Sequence, residues 1–435
     1  MGYSELPMHK NTLLVSSLLV LCANISPAQA KWALLIGINT YQPSNTSAVH
    51  ADGCSGGRCD LPQFPNLNGP VNDVEAMRDF LTSPRVHFEP ANVIVLTNPK
   101  LPDSKLQYLV LNADQTTHDG ILAAMRKYLV DTPKSGDTVV FYYAGHGSLR
   151  LNHKGTKLRV LVDGNMVPVD STIVPSDAWT GGFDVRDREM TRIFDDALDK
   201  GIKLTVLLDS CHSGAFTRGV TLGPRPVERV LPYDPRALDE GPDLLPDGKP
   251  RPAPAEHPKN PALIFSAAQQ DQTAKESAPS SSSPESHGAF TVALIHAMES
   301  LPMDAPASVV YEQVLAEMQG TVDQTPSLDA GMTRRNEPLF GGESSKEGKL
   351  RAAAVGVDGN GQIVLDSGKL AGVGPGSTFV RIDSQGRKVI LKVKDLDGIA
   401  RSRAAVLSPP GAQVDTGQVF ELDKWAPPPL DPLSC

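Results

Sequence analysis

Two short segments contain residue types that could carry out nucleophilic catalysis. His146 lies between two glycines in residues 143–147, and Cys211 lies in residues 208–214 with the sequence Leu-Asp-Ser-Cys-His-Ser-Gly. A thiolate is a strong nucleophile toward a carbonyl carbon, and an imidazole can take up and return a proton. We therefore predict that Cys211 is the nucleophile and that His146 is the proton acceptor and donor. The backbone amides of Gly147 and Cys211 would form the oxyanion hole.

Taken alone, each segment has a simpler interpretation. A single cysteine is usually a small core residue, and a histidine between glycines is usually part of a turn. The combination is more specific, because each segment follows an apolar run of strand length. Active sites collect where parallel strands end at their carboxyl side. His212 is a weaker candidate for the base, because adjacent side chains after a strand diverge.

The elements that must position these residues alternate between strands and helices. Continuous apolar runs predict strands buried on both faces at residues 33–38, 93–96, 139–143, 204–208 and 262–267. Helical spacing of apolar residues predicts helices over residues 72–81, 120–130, 187–198, 288–298 and 311–318. The alternation predicts an α/β fold with a mostly parallel sheet flanked by helices. Short Val/Ile runs between glycines after residue 350 predict a small all-β domain.

Composition excludes several classes of protein. The chain has 435 residues, of which 40% are apolar and 21% charged, so most of it can bury a core. Its formal net charge is −9 and it has no block of basic residues. We therefore expect no binding to nucleic acid or to an anionic membrane surface.

The first 30 residues have the pattern of a secretory signal peptide. A polar start ends at Lys10, residues 13–22 are mostly apolar, and Ala28-Gln29-Ala30 supplies the small residues of a cleavage site. An ordinary buried helix is the alternative. No other run of about 18 apolar residues occurs, so we expect no transmembrane segment in the mature chain. We expect the protein to be exported, either periplasmic or secreted.

Cysteine usage supports the same compartment. Cys54 and Cys59 flank a Gly-rich loop and are close enough to form a disulfide in an oxidising compartment. A zinc site would need a second pair of ligands at matching spacing, and a disulfide is therefore the preferred interpretation.

With these residues in place, the sequence resembles the caspase–metacaspase superfamily of cysteine peptidases, and the bacterial metacaspase branch more than the animal caspases. The similar motifs lie within about residues 31–340, at 33–41, 67–73, 142–147, 209–214, 271–276 and 288–291. The resemblance implies a caspase-like fold and a cysteine-type endopeptidase acting on proteins or peptides. It does not indicate an oligomeric state.

The resemblance also divides the chain. The expected regions are a signal peptide at 1–30, a large-subunit region at 31–216, a Pro-rich linker at 217–260, a small-subunit-like region at 261–345 and a small β domain at 346–435. The linker has ten prolines and no apolar periodicity, which predicts an exposed, mobile connection. We expect self-cleavage there, and basic candidate sites occur at Arg218, Arg225, Arg229, Arg236, Lys249 and Arg251. The β domain is expected to be a structural or adhesive module.

Charge indicates the substrate preference. In an extended chain, Asp209 faces the same side as Cys211 two residues later. The resemblance places Asp73 in the specificity pocket as well, although a helix-capping role is the alternative. Two carboxylates would attract Arg or Lys at the residue before the cleaved bond (P1) and repel Asp.

The resemblance also raises the question of calcium. The matching region is residues 185–189, where Arg188 stands at a position that is often aspartate in the family. A guanidinium would cancel the attraction for Ca²⁺, although Asp177, Asp184 and Asp187 could still form a site. We expect no required cofactor, with Ca²⁺ as the open alternative. Two alternative functions remain, a catalytically silent scaffold and a related peptidase that prefers Asn or Asp.

Overall fold

The computed structural model describes sixteen segments of the chain. They are residues 1–2, 29–41, 50–54, 57–101, 109–110, 113–154, 158–162, 165–210, 233–241, 243–245, 247–269, 272–277, 285–319, 322–342, 350–382 and 386–428. Cys211, most of the signal-peptide region and the first part of the Pro-rich linker therefore lie outside the described residues.

Strands and helices alternate through the first three quarters of the chain, and strands dominate the last quarter. The strands are β1 (Lys31–Ile38), β2 (His50–Cys54), β3 (Gly57–Asp60), β4 (Val93–Asn98), β5 (Leu109–Val110), β6 (Thr138–Ala144), β7 (Gly147–Leu151), β8 (Leu158–Val162), β9 (Asn165–Ile173), β10 (Val185–Arg186), β11 (Lys203–Asp209), β12 (Tyr233–Asp234), β13 (Leu263–Ser266), β14 (Glu276–Ser277), β15 (His287–Gly288), β16 (Ser327–Ala330), β17 (Arg351–Val357), β18 (Ile363–Leu365), β19 (Thr378–Ile382), β20 (Lys388–Asp397), β21 (Arg401–Ser408) and β22 (Val419–Lys424). The helices are α1 (Pro70–Thr82), α2 (His118–Met125), α3 (Asp187–Asp199), α4 (Ala289–Ser300), α5 (Ala307–Gln319) and α6 (Met332–Arg335), and a π-helix (Arg126–Asp131) continues α2.

A seven-stranded sheet forms the centre of the molecule, in the order β16-β13-β11-β6-β1-β4-β5. All strand pairs are parallel except β13–β16, which is antiparallel. Alternate residues of β1 point to opposite faces: Ala33 and Leu35 join the core beneath α1, α4 and α5, whereas Leu34 and Ile36 join the core beneath α2 and α3. The predicted α/β fold with a mostly parallel, doubly covered sheet is confirmed.

The amino terminus of α1 lies directly on β1. A Cβ atom at Gly37 would lie 2.5 Å from the carbonyl oxygen of Pro70 and 2.7 Å from Val74, so only glycine permits this approach. Pro70 occupies the first turn of α1, where its missing N–H has no intrahelical partner to lose. This packing fixes the position of Asp73, which lies one turn into the helix.

A second sheet, in the order β10-β9-β7-β12 with β8 beside β9, was not predicted. Its last strand, β12, comes from the Pro-rich linker and pairs with β7 in parallel. In the described part of the linker Asp234, Arg236 and Ala255 are buried, so the expectation of an exposed connection is wrong at these positions, whereas Leu238 and Leu244 are exposed. Ion pairs hold this segment against the rest of the molecule. Because these pairs use charged residues, the sequence shows no apolar periodicity there.

The carboxyl-terminal region is a closed six-stranded barrel, in the order β17-β18-β21-β20-β19-β22. The predicted small all-β domain is therefore confirmed. Its strand β21 does not consist of such a Val/Ile run, because arginine and serine interrupt it. Ala353 and Val419 of the barrel pack into the same core as α5, so the barrel adjoins the α/β domain. In the portion of the chain that the structure describes, every helix is too short or too polar to cross a membrane.

Candidate active site

The carboxyl ends of β6 and β11 place the two predicted catalytic segments side by side. Ala144 is in register with Asp209, and the backbone N–H of Gly145 donates to the carbonyl oxygen of Asp209 at 3.2 Å. His146 follows Ala144 by two residues, and Cys211 follows Asp209 by two residues. Neighbouring strands lie about 4.8 Å apart, so Ala144 and Asp209 lie side by side at the carboxyl end of the sheet. Cys211 itself lies outside the described residues.

A network of aromatic residues holds His146. Its backbone N–H donates to the hydroxyl oxygen of Tyr41 at 2.8 Å, and its ring centroid lies 4.6 Å from that of Tyr41 and 5.3 Å from that of Phe64. A Cβ atom at Gly145 would lie 2.4 Å from the Tyr41 hydroxyl, which explains the glycine before His146. Sequence reasoning did not assign Tyr41 or Phe64 to the site.

The protonation of the His146 ring follows from its neighbour. The Nε2 atom lies 2.8 Å from the carbonyl oxygen of Pro65. A carbonyl oxygen only accepts, so Nε2 donates, and Nδ1 is the acceptor of the neutral ring. Burial lowers the pKa of His146 below its usual value, so the ring is neutral near pH 7. His146 is therefore in the state that a proton acceptor requires.

Gly147 begins β7 and lies opposite Ile173 in the second sheet. The carbonyl oxygen of His146 accepts from the N–H of Val174 at 3.0 Å, so the turn after His146 is tied to the same sheet. The assignment of the Gly147 amide to the oxyanion hole stays a prediction.

The two predicted pocket carboxylates, Asp73 and Asp209, lie on either side of Gly288. The N–H of Gly288 donates to both oxygens of Asp73, at 3.0 and 3.1 Å, and a Cβ atom at Gly288 would lie 2.1 Å from Oδ2 of Asp209. Oδ2 of Asp209 also accepts from the hydroxyl and the N–H of Thr291, at 2.6 and 3.2 Å. Asp73 is 1% exposed and Asp209 6%. The structure therefore brings together residues from α1, β11, β15 and α4.

Burial makes both carboxylates costly to ionise. It raises the pKa of Asp73, and it raises the pKa of Asp209 to about 7, with the negative charge of Asp73 adding to the effect. Like charges and desolvation act in the same direction here. Such perturbed carboxyl groups concentrate at functional sites.

Two further residues near the pocket were not singled out for a role. Glu276 accepts from the N–H of Gly69 at 3.0 Å, which places a third carboxylate at the amino terminus of α1. His287 donates from Nδ1 to Oδ1 of Asp73 at 2.9 Å. The residues of this second pair are 214 positions apart in the chain, so no local spacing indicates it.

The residues considered for Ca²⁺ do not share one centre. Asp184 accepts from the hydroxyl of Thr172 at 2.9 Å, whereas Asp177 accepts from the N–H of His118 at 3.1 Å. Arg188 pairs with Asp170 at 3.0 Å. Within the described segments, no three His, Cys, Asp or Glu side chains are grouped so that they could hold a metal ion.

The predicted disulfide joins Cys54 and Cys59, and the structure describes the side chain of Cys59. Cys59 is disulfide-bonded. The side chain of Cys54, its predicted partner, lies outside the part of the chain that the structure describes.

Comparison with known proteins agrees with this geometry. Residues 31–218 match a family model described as metacaspase, peptidase C14 domain. Metacaspase-1 of Meyerozyma guilliermondii is 31% identical over 184 residues, which are 42% of this chain and 35% of that protein. Metacaspase-1 of Arabidopsis thaliana is 28% identical over 260 residues, which are 60% of this chain and 61% of that protein. The chain thus spans less than two thirds of each of these relatives.

Among solved structures, one described as pro-sf-caspase-1 covers 75% of this chain and 94% of that chain, with 11% sequence identity and a TM-score of 0.35. A similarity of this size adds nothing to the assignment.

Proposed function

We propose that the protein is a cysteine endopeptidase of the caspase–metacaspase superfamily, because residues 31–218 match a family model described as metacaspase, peptidase C14 domain. In the proposed reaction, His146 removes the thiol proton of Cys211, and the thiolate attacks the carbonyl carbon of the scissile bond. The imidazolium then gives its proton to the departing amine, and water hydrolyses the acyl-enzyme. The observation that carries the proposal is the adjacency of the two catalytic strand ends, joined by the hydrogen bond between Gly145 and Asp209.

We propose that the enzyme cleaves after Arg or Lys. The support is the pair of buried carboxylates, Asp73 and Asp209, at the edge of the sheet from which Cys211 follows. A substrate cation would relieve the repulsion between them and balance their charge in a site that water hardly reaches. An acidic P1 side chain would add a third negative charge, and we expect it to be rejected.

The assay uses the purified chain with fluorogenic peptides that differ only at P1, ending in Arg, Lys, citrulline, Asp or Asn. Citrulline has the shape of arginine without its charge. We expect turnover of the Arg and Lys peptides and loss of all turnover in Cys211→Ala. Turnover that survives in Cys211→Ala would overturn the nucleophile, and a preference for Asp or Asn would overturn the pocket. A folded protein that cleaves none of the peptides would favour the scaffold function.

Self-processing is proposed for the first part of the linker. The described part contains Arg236, whose guanidinium is buried against Asp234 and the carbonyl oxygens of Gly181 and Gly182. A peptidase would have to remove this side chain from its ion pair before cleaving there. Arg236 is therefore a disfavoured site, and Arg218, Arg225 and Arg229 stay candidates. Lys249, whose side chain is 77% exposed, is the alternative site in the described part. Amino-terminal sequencing of the fragments from the active enzyme and from Cys211→Ala tests this, and a fragment beginning at Ala237 would contradict it.

We propose further that activity needs no metal ion and that the protein is exported. The pairing of Arg188 with Asp170 supports the first proposal, because a guanidinium already balances a carboxylate of this region. The disulfide at Cys59 supports the second, since disulfides persist in oxidising compartments. Turnover in EDTA tests the first, and its restoration by Ca²⁺ would contradict it. Fractionation of the native host tests the second.

A further inference from the structure

His287 is a basic residue built into the proposed specificity pocket. Its Nδ1 atom donates to Oδ1 of Asp73 at 2.9 Å, and the next residue, Gly288, donates its backbone N–H to both Asp73 oxygens. The Asp73 side chain is 2% exposed and that of His287 18%. Solvent therefore reaches this pair through the imidazole.

Acidic groups surround the imidazole from the elements that adjoin it. Nε2 of His287 lies 4.0 Å from Oε2 of Glu285 on its own segment. Glu276 belongs to β14, the partner of β15, and Asp209 of β11 lies on the other side of Gly288. The Tyr142 hydroxyl of β6 reaches the pocket through Thr291, at 2.6 Å. Burial raises the Tyr142 pKa well above its usual value, so that hydroxyl stays neutral.

A carboxylate has about four acceptor sites, and His287 and Gly288 occupy most of those of Asp73. A protonated imidazole at this position neutralises the negative charge of Asp73. A substrate cation is then attracted to Asp73 less strongly. A neutral imidazole keeps the hydrogen bond and leaves that negative charge uncompensated.

We propose that His287 is a specificity-determining residue: as an imidazolium it is an internal cation that competes with the basic P1 side chain for Asp73, and as a neutral ring it admits that side chain. This inference rests on the proposed peptidase function. The hydrogen bond to Asp73 raises the pKa of His287, so the imidazolium persists to higher pH than that of an ordinary histidine. The preference for a basic residue should consequently strengthen as the pH rises.

The experiment measures the ratio of kcat/KM for the Arg peptide to kcat/KM for the matched citrulline peptide, between pH 6 and pH 8.5. Two variants separate the charge of residue 287 from its hydrogen bond. His287→Gln can donate to Asp73 without a charge, and His287→Lys keeps a positive charge throughout this range. For one unit charge at a few ångströms in a partly buried site, we expect changes in the ratio of about tenfold.

The Arg/citrulline ratio should change in opposite directions in the two variants. At pH 6 the Arg/citrulline ratio of His287→Gln should exceed that of the wild type about tenfold, and this excess should shrink as the pH rises and the wild-type ring loses its proton. The ratio of His287→Lys should fall below that of the wild type by up to about tenfold over the same rise in pH. The matched control is His296→Gln, because His296 forms a similar pair with Glu317 at 3.0 Å on α4 and α5. We expect it to follow the wild type.

The outcomes that overturn the inference differ from those that overturn the function. If both His287 variants lower turnover of the Arg and citrulline peptides equally at every pH, His287 has a structural role only. If the wild type cleaves both peptides equally well at every pH, the basic pocket is wrong and the role of His287 with it. Should His287→Lys not fold, the ratio of His287→Gln at pH 6 decides, and an unchanged ratio rejects the proposal.

Discussion

The buried carboxyl group of Asp209 should make the folded protein less stable as the pH rises. Its pKa is raised from 3.8 to about 7, chiefly by burial. Between these two values the unfolded chain has released this proton while the folded chain retains it. Stability therefore falls as the pH rises from about 4 to about 7, and it changes no further above that. The substitution that tests this is Asp209→Asn, which removes the charge and keeps an acceptor for Thr291.

The magnitude follows from the shift. Roughly three pKa units correspond to about 4 kcal/mol at full ionisation, since each unit is about 1.4 kcal/mol. At pH 5 the unfolded chain has already ionised and about 1–2 kcal/mol of this penalty is present. We therefore compare the free energy of unfolding of Asp209→Asn with that of the wild type at each pH. The difference between them should be about 2–3 kcal/mol more in favour of the variant at pH 8.5 than at pH 5.

The assay is urea unfolding at both pH values. All variants carry Cys211→Ala, which prevents self-cleavage, and Trp425→Phe, which removes the tryptophan beside the barrel so that fluorescence reports on the α/β domain. The matched control is Asp304→Asn, an exposed aspartate on the loop between α4 and α5. It should show the same difference from the wild type at both pH values. If Asp209→Asn also shows no dependence on pH, the carboxyl group is not desolvated in the folded protein and the reasoning fails.

Two substitutions test buried contacts, one in the proposed pocket and one in the linker. Gly288→Ala places a Cβ atom 2.1 Å from Oδ2 of Asp209, and we expect kcat/KM for the Arg peptide to fall at least 100-fold; Gly359→Ala, where nothing lies within 4 Å, should leave it unchanged. Arg236→Ala leaves Asp234 buried without its guanidinium partner, which should lower the free energy of unfolding by about 3–5 kcal/mol. Lys249→Ala, whose side chain is 77% exposed, should change it by less than about 0.5 kcal/mol, and equal effects of the two in urea unfolding would contradict the buried pair.

Five strands of the central sheet were predictable because they are apolar and buried on both faces, whereas its edge strands β5 and β16 were not predicted. Residues 33–38 and 139–143 are continuous apolar runs, and the structure buries them between two helical layers. The second sheet gave no such signal. β9 has the sequence Asn-Met-Val-Pro-Val-Asp-Ser-Thr-Ile, in which buried Asp170 accepts from Asn152 and pairs with Arg188, and buried Thr172 donates to Asp184. Hydrogen bonds and ion pairs of this kind replace apolar contacts there, and they leave no periodicity.

The candidate site residues were proposed from the sequence for a related reason. His146 and Cys211 follow apolar strands, so the ends of those strands indicated them. Asp73 and Asp209 were assigned from motifs and charge. The support for His146 from Tyr41, and the contact between His287 and Asp73, depend on how distant segments meet, and no spacing within one segment encodes them.

Burial gives the proposed pocket its selectivity and also its instability. An exposed carboxylate attracts a substrate cation weakly, because water screens the pair. Asp73 and Asp209 lose their water when the chain folds. Most of the free-energy cost of desolvating these two groups therefore belongs to folding and not to substrate binding. A basic side chain then gains the attraction of two preoriented carboxylates without paying to dehydrate them. The same desolvation that raises the Asp209 pKa to about 7 is therefore what would let the pocket discriminate arginine from citrulline.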